Sequence, residues 1–342
     1  MGFRGAGWRT AEVSRTKLGV ILAGDLGGTN ARLALYDARG RRRILEKTYA
    51  ARDFRSAGDV VQHFLDEHPR ARPVRASLGI AGPVDGHLCQ ATNLPWVVDG
   101  RKLARRFGFE KVALHNDMIA LAFGCLGAKG DDVVRLGGEA VPSVKRGVVA
   151  VVAPGTGLGE CFLVPSRAGI TPMPTEGGHA DFAPRTDDEA KLLAFAQGVH
   201  GRVSTERILC GDGLGLIHRF TQEVLGLRDT GVDAAHASDA NKRVMALAKA
   251  ESPAARAAVK LFAGLLGAEL GNVALRGLAR GGVYLSGGLG AAVLGLEKQV
   301  FLEAYAAKGR FRPFVEALPL VLVARTDIGL EGSARLARDD HG

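Results

Sequence analysis

"VILAGDLGGTNARLALYD" (Val20–Asp37) sets an aspartate and a glycine pair between two apolar, strand-like runs. Two readings fit it in isolation. It is a β-hairpin whose tight turn needs glycine, or a turn whose successive backbone N–H groups face an anion. Gly27 and Gly28 allow close approach, Thr29 and Asn30 add side-chain donors, and Asp25 could orient a magnesium ion through water. The common phosphate motifs do not apply. The chain has no G-x-x-x-x-G-K-[ST], and a dinucleotide fingerprint runs from strand into helix, whereas here strand passes into strand.

The pattern then returns in "GVVAVVAPGTGLGECFLVP" (Gly147–Pro165), again strand, glycine turn, strand. Gly19 precedes Gly27 by eight residues, and Gly147 precedes Gly155 by eight. With 47 glycines in the chain, coincidence is the competing reading. Two hairpins built alike, one in each half, predict a duplicated domain. A third glycine cluster ends the strand-like "GGVYLSGGLG" (Gly281–Gly290). Two turns and this cluster suit a nucleotide, which needs separate grips for its phosphates and its adenosine.

Around these landmarks strand-like and helix-like runs alternate. "RRILEKTYA" would be a third strand beside the first hairpin, followed by a helix over Ala57–Glu67 and a strand in "RASLGIAG". "KVALHND" reads as a strand, and "MIALAFGCLGA" as a helix apolar all round and therefore buried. The second half offers helices at Asp188–Ala196, Gly213–Leu225, Ala240–Ala250 and Pro253–Ala279, and the tail reads as strand then helix. This alternation predicts α/β layers with mixed sheets. At 342 residues there is room for two domains with sizeable cores.

Composition narrows the classes. The formal charge is +9, of which Arg4, Arg9, Arg15 and Lys17 against Glu12 contribute +3, so residues 1–17 are expected to form a disordered basic arm. The remaining charge is scattered apart from "RGRRR" (Arg39–Arg43), which looks like a hairpin tip. No helix-turn-helix or aromatic RNA motif accompanies it, so a nucleic-acid partner is not expected. No apolar run approaches the roughly 18 residues of a membrane span, and Arg256, Lys260 and Glu269 interrupt the long Pro253–Ala279 stretch. Cys89, Cys125, Cys161 and Cys210 lie far apart with no paired spacing, which favours a reducing, cytoplasmic setting over disulfides or structural zinc.

Several polar residues could carry chemistry. Asn116 and Asp117 stand where a buried strand meets a buried helix. A helix N-cap is the bland reading, and a ligand site at the carboxyl end of a strand is the sharper one. "PTEGGHADFAP" puts Glu176 and His179 around a glycine pair, with no cysteine or second histidine nearby to make a metal site. In "RVSTERILCG", Glu206 follows Ser204 as in a helix start. Carboxylates and a histidine can pair with vicinal hydroxyls, so a sugar is a plausible ligand.

Nine segments stand in one order: "GDLGGTNARLALYD", "GIAGPVDG", "TNLPWVVD", "LHNDMIALAFG", "PGTGLGE", "TEGGHADFAP", "VSTERILCG", "GGVYLSGGL" and "IGLEGSARL". Together they resemble the bacterial glucokinase family, within the sugar kinase, actin and heat-shock ATPase superfamily, from Leu18 to Arg338. The resemblance implies a two-domain, duplicated actin-like ATPase (ribonuclease H-like) α/β fold with a mixed sheet in each domain and a cleft between. It implies a small domain of residues 18–127 plus 319–342 and a large domain of 128–318. Gly24, Asp25, Leu26, Gly27, Gly28, Thr29, Asn30 and Arg32 would belong to the first ATP phosphate grip. Gly155, Thr156 and Gly157 would form the second, with Gly287 and Gly288 near the adenosine. Asn93 would lie near the sugar, Asn116, Asp117, Glu176, His179 and Glu206 would hold the hexose hydroxyls, and Asp117 would be the catalytic base.

What the resemblance then implies is transfer of a phosphoryl group from ATP to the 6-hydroxyl of glucose, with Mg2+ placed through Asp25, in a cytoplasmic homodimer. A kinase for another hexose or an amino sugar, or a sugar-sensing protein without turnover, would share these residues. Related kinases of the repressor and open-reading-frame group carry a cysteine-rich zinc loop after the corresponding glutamate and histidine. "ADFAPRTDDEA" follows here, which favours the zinc-free branch. The chain departs from the family at Pro154, which lacks an N–H, so the second turn must draw its donors from the residues after it.

Overall fold

A computed structural model describes residues 19–230 and 240–338. The basic arm expected at residues 1–17 lies outside the described residues. The first half contributes strands β1 (Val20–Leu26), β2 (Asn30–Tyr36), β3 (Arg43–Ala50), β4 (Pro73–Ile80), β5 (Val84–Asp85), β6 (Leu88–Gln90), β7 (Val97–Asp99) and β8 (Lys111–Asn116). The second contributes β9 (Val133–Gly137), β10 (Val149–Pro154), β11 (Leu158–Ser166), β12 (Gly169–Thr175), β13 (Gly282–Ser286) and β14 (Leu320–Val323).

The first sheet runs β3-β2-β1-β4-β8 and the second β12-β11-β10-β13-β14-β9, while β5, β6 and β7 form a small separate ribbon. In each large sheet a three-stranded antiparallel meander leads into two parallel strands. β9 is the addition, antiparallel at one edge of the second sheet. The duplication read from the glycine hairpins is therefore a duplication of strand order, and it gives the actin-like architecture with a mixed sheet in each half. Arg39–Arg42 form the tip between β2 and β3, where Asp37 accepts the Arg41 N–H at 2.8 Å.

One boundary differs from expectation. Leu320–Val323 pairs with β13 and β9 in the second sheet and does not belong with the first. Only the helix Ile328–Arg338 that follows returns to the first sheet, where Leu330 and Ala334 pack on Ile21, Ala23, Ala34 and Tyr36. The run "PLVLV" is apolar at every position, as a strand buried on both faces requires, and such a run does not say which sheet it joins.

The helix Asp117–Gly127 lies between the two halves. Its Ala120, Ala122, Phe123 and Cys125 share a core with Val149 and Val151 of β10, Tyr284 of β13 and Ile328. It also crosses the Ile328–Arg338 helix at backbone distance: a Cβ on Gly332 would overlap the Ala120 carbonyl, and one on Gly124 the Ile328 carbonyl. Alanine for glycine inside a helix ordinarily gains about 1 kcal/mol. At this crossing Gly332→Ala is expected instead to cost about 2 kcal/mol or more, read as a lower denaturation midpoint; an unchanged or higher midpoint would mean that the helices are not in backbone contact.

The long helix Pro253–Arg276 would reach across a bilayer by length and composition alone, but it is a buried core helix, as its charged interruptions predict. Within the fold 72% of its most apolar window is buried. It packs against the helices Gly211–Glu223, Ala240–Lys249 and Gly288–Ala306 as the centre of the second core.

Candidate active site

The first glycine turn joins β1 to β2, closed by the Gly27 N–H donating to the Asn30 carbonyl at 3.0 Å. Asp25 pairs in register with Arg32, whose guanidinium donates to the Thr326 carbonyl. Ser333 Oγ donates to the Gly24 carbonyl at 2.9 Å, so the C-terminal helix braces this hairpin from behind. A Cβ on Gly28 would stand 2.6 Å from that of Asn93, which seats exposed Asn93 directly on the turn.

The second turn joins β10 to β11 and is one residue shorter between its flanking pairs, Leu26↔Ala31 and Pro154↔Leu158. Here the Gly155 N–H is taken by the Gly157 carbonyl (2.8 Å), and the Gly155 carbonyl accepts from Gly211 (2.8 Å). Thr156 and Gly157 are left to supply the outward donors, as Pro154 requires. Gly287, with φ +105°, follows β13 into the helix Gly288–Ala306, and a Cβ on it would stand 3.3 Å from the Pro154 carbonyl. The third glycine cluster therefore adjoins the second turn. A cavity of about 630 Å³ opens beside Thr156, lined also by Glu206, Asp212, His218, Gln222 and Arg243.

The helix start read at Asn116 and Asp117 is present. Asn116 is the N-cap of the Asp117–Gly127 helix: its Oδ1 accepts the Met118 N–H at 3.0 Å, and its Nδ2 donates to the Gly82 carbonyl at 3.2 Å. Asp117 Oδ1 accepts the same Met118 N–H at 2.9 Å. The remaining Asp117 oxygen is not used in the cap. Burial raises the Asp117 carboxyl above the ordinary range; the backbone N–H groups oppose this and the Glu176 charge adds to it. Asp25 is pushed up to about 6, chiefly by burial, with Arg32 opposing and Asp117 adding. Asp117 is thus coupled in charge to Asp25 and to Glu176, although some ninety and sixty residues separate them in the chain.

Glu176 and His179 stand on a short turn after β12 and are exposed. His179 Nε2 lies 3.7 Å from both Glu176 Oε2 and Glu206 Oε1. Glu206 sits in the first turn of a helix capped by Ser204, the helix start expected from its sequence. It also reaches back to the second glycine turn, where its Oε2 accepts the Leu158 N–H at 2.9 Å and packs on Gly157. The expected site residues fall into one connected series, from Asp25 through Asp117 and Glu176 to Glu206, with Asn93 on the first turn and Gly287 behind the second.

Two residues outside the expected set share this region. Met118 packs its sulfur on Gly159 of β11, joining the Asp117–Gly127 helix to the second sheet. Glu160 is buried beneath the Glu176–His179 turn. The signal for Glu160 was present: a period of two places it on the face of Leu158 and Phe162, both of which enter the core.

Known proteins resemble this chain in sequence and fold. A family model described as Glucokinase matches residues 22–340. A glucokinase of Synechocystis sp. is 34% identical over 344 residues, covering 92% of this chain and 96% of that one. The crystal structure of a glucokinase from an Antarctic psychrotroph superposes with a TM-score of 0.77 at 30% identity, over 93% of this chain and 98% of the other. That of a glucokinase from Balamuthia mandrillaris in complex with glucose gives 0.79 at 22% identity, over 97% of each.

Proposed function

The chain belongs to the glucokinase family, and on that premise we propose that it transfers the γ-phosphoryl group of ATP to the 6-hydroxyl of glucose, with Asp117 as general base. The observation that carries this reading is the placing of Asp117. Its carboxylate has an oxygen outside the helix cap and lies within the field of Glu176, and Glu176 and Glu206 both lie close to His179. A base raised by burial accepts a hydroxyl proton more readily than an ordinary carboxylate. Asn116, Glu176, His179 and Glu206 present hydrogen-bonding groups suited to hexose hydroxyls, and Asn93 extends that set toward the first turn.

Phosphoryl transfer asks a protein chiefly for alignment and charge neutralisation. The two glycine turns would hold the phosphates, and the cavity beside Thr156 would take the adenosine end with Gly287 and Gly288. Magnesium fits at Asp25: a carboxyl so far desolvated, facing a second acid, favours a cation in place of its proton. When bound, the ion would neutralise charge on the transferred phosphates. Four buried free thiols support a reducing, cytoplasmic setting. The homodimer is the assembly that the family resemblance implies.

The test is ADP release across a panel of hexoses. Glucose is expected to be the best acceptor, with galactose, fructose and N-acetylated sugars poor. An altered hydroxyl leaves site groups unpaired, a penalty that reaches about 10⁴-fold in the most selective sites. Equal efficiency on a second hexose would move the chain to a broader kinase, and binding without ADP release to a sugar sensor.

A further inference from the structure

Glu160 lies directly beneath the turn that carries Glu176 and His179, and its carboxyl faces that of Glu269. Glu160, on β11, is 2% exposed, and its Oε1 has no hydrogen-bond partner. Its Oε2 rests against Gly177, where any Cβ would overlap it. Glu269, on the Pro253–Arg276 helix, is 7% exposed and accepts from Asn272 Nδ2 at 3.0 Å and from Arg276. Two buried carboxylates cannot satisfy each other, because both are acceptors. One proton between them gives the unpartnered oxygen its bond.

We infer that Glu160 is a positioning residue for the sugar: sharing one proton with Glu269, it holds the Glu176–His179 turn in the place where those side chains meet the hexose. This rests on the hexose-kinase reading above. Burial, then the Glu269 charge, pushes the Glu160 carboxyl up to about 7, with Arg276 opposing. Below that pH the shared proton keeps the pair together. Above it both carboxylates are charged and repel, and Glu160 presses on Gly177, between the two sugar residues. Glucose binding weakens while Asp117, on a separate helix, keeps its place.

The charged groups around the pair are few. The Pro253–Arg276 helix supplies Arg276 with Glu269 itself, and the sugar turn supplies Glu176 and His179. Arg185, ahead of the Asp187–His200 helix, is held by Glu189. Lys308 donates to the Ala268 carbonyl at 2.8 Å and to Asn272 Oδ1 at 2.6 Å, and burial lowers it to about 8. Its titration overlaps that of the pair, so it needs its own control.

The experiment measures KM for glucose and kcat between about pH 6 and about pH 9 in the full chain, its E160Q, E269Q and Lys308→Met variants, with circular dichroism as the folding check. In the native chain KM is expected to rise about tenfold per pH unit above about 7, with kcat changing little. E160Q keeps KM low and flat, because its amide donates to Glu269 and does not titrate. E269Q flattens the profile from the other side and serves if E160Q does not fold. Lys308→Met keeps the native rise. A native rise that persists in E160Q or E269Q, or that vanishes in Lys308→Met, overturns the inference, as does a flat native profile. A native chain that does not phosphorylate glucose at any pH would overturn the functional reading instead.

Discussion

Asp117→Asn is expected to lower turnover by at least about 10²-fold while fold and glucose affinity stay close to those of the native chain. The substitution is nearly isosteric, and its amide oxygen keeps the bond from the Met118 N–H that Asp117 Oδ1 now accepts. Asn116 also accepts from that N–H, so the helix start has a second hold. What disappears is a group able to take the proton of the attacking hydroxyl. A role confined to capping would leave kcat nearly unchanged in Asp117→Asn, and that result would remove the base from this residue. Glucose binding measured in parallel separates the two, since loss of both affinity and turnover would indicate a disturbed site.

The second large effect is expected at Glu206. This carboxylate is a strut: one oxygen accepts the Leu158 N–H at the end of the second glycine turn, and the other lies 3.7 Å from the His179 ring. Glu206→Ala leaves the Leu158 N–H without its acceptor, frees His179 and removes a hydroxyl partner. The charge-assisted bond to the Leu158 N–H and that to a sugar hydroxyl, at about 1.5–3 kcal/mol each, place the expected rise in KM for glucose at about 10²-fold or more. Glu206→Gln keeps an acceptor for Leu158 and is expected to recover part of the loss, with KM intermediate between the native and alanine forms. An alanine variant whose KM stays within about threefold of native would show that the strut does not reach the sugar.

Much of this arrangement is legible in local spacing. The two glycine hairpins, the strand-to-helix step at Asn116–Asp117 and the buried helix after it each depend on residues a few positions apart, where periodicity and turn chemistry act directly. Their repetition predicts the duplicated strand order found in the sheets. The helix Gly288–Ala306 is not legible locally because its opening "GLGAAVLG" holds three glycines, which read as the end of a strand; with Gly290 against Leu285, close packing on β13 outweighs propensity.

By itself, then, the sequence determined the paired glycine turns, the strand-to-helix junction that offers Asp117, and the residue types suited to a hexose. Only the tertiary structure decided that Leu320–Val323 joins the second sheet, because a wholly apolar strand carries no face pattern to name its partner. Only the tertiary structure brought Asp117 within the field of Asp25 and of Glu176 and set Glu160 against Glu269. Desolvation and charge coupling depend on which surfaces are buried together, and no spacing along one chain states that distance.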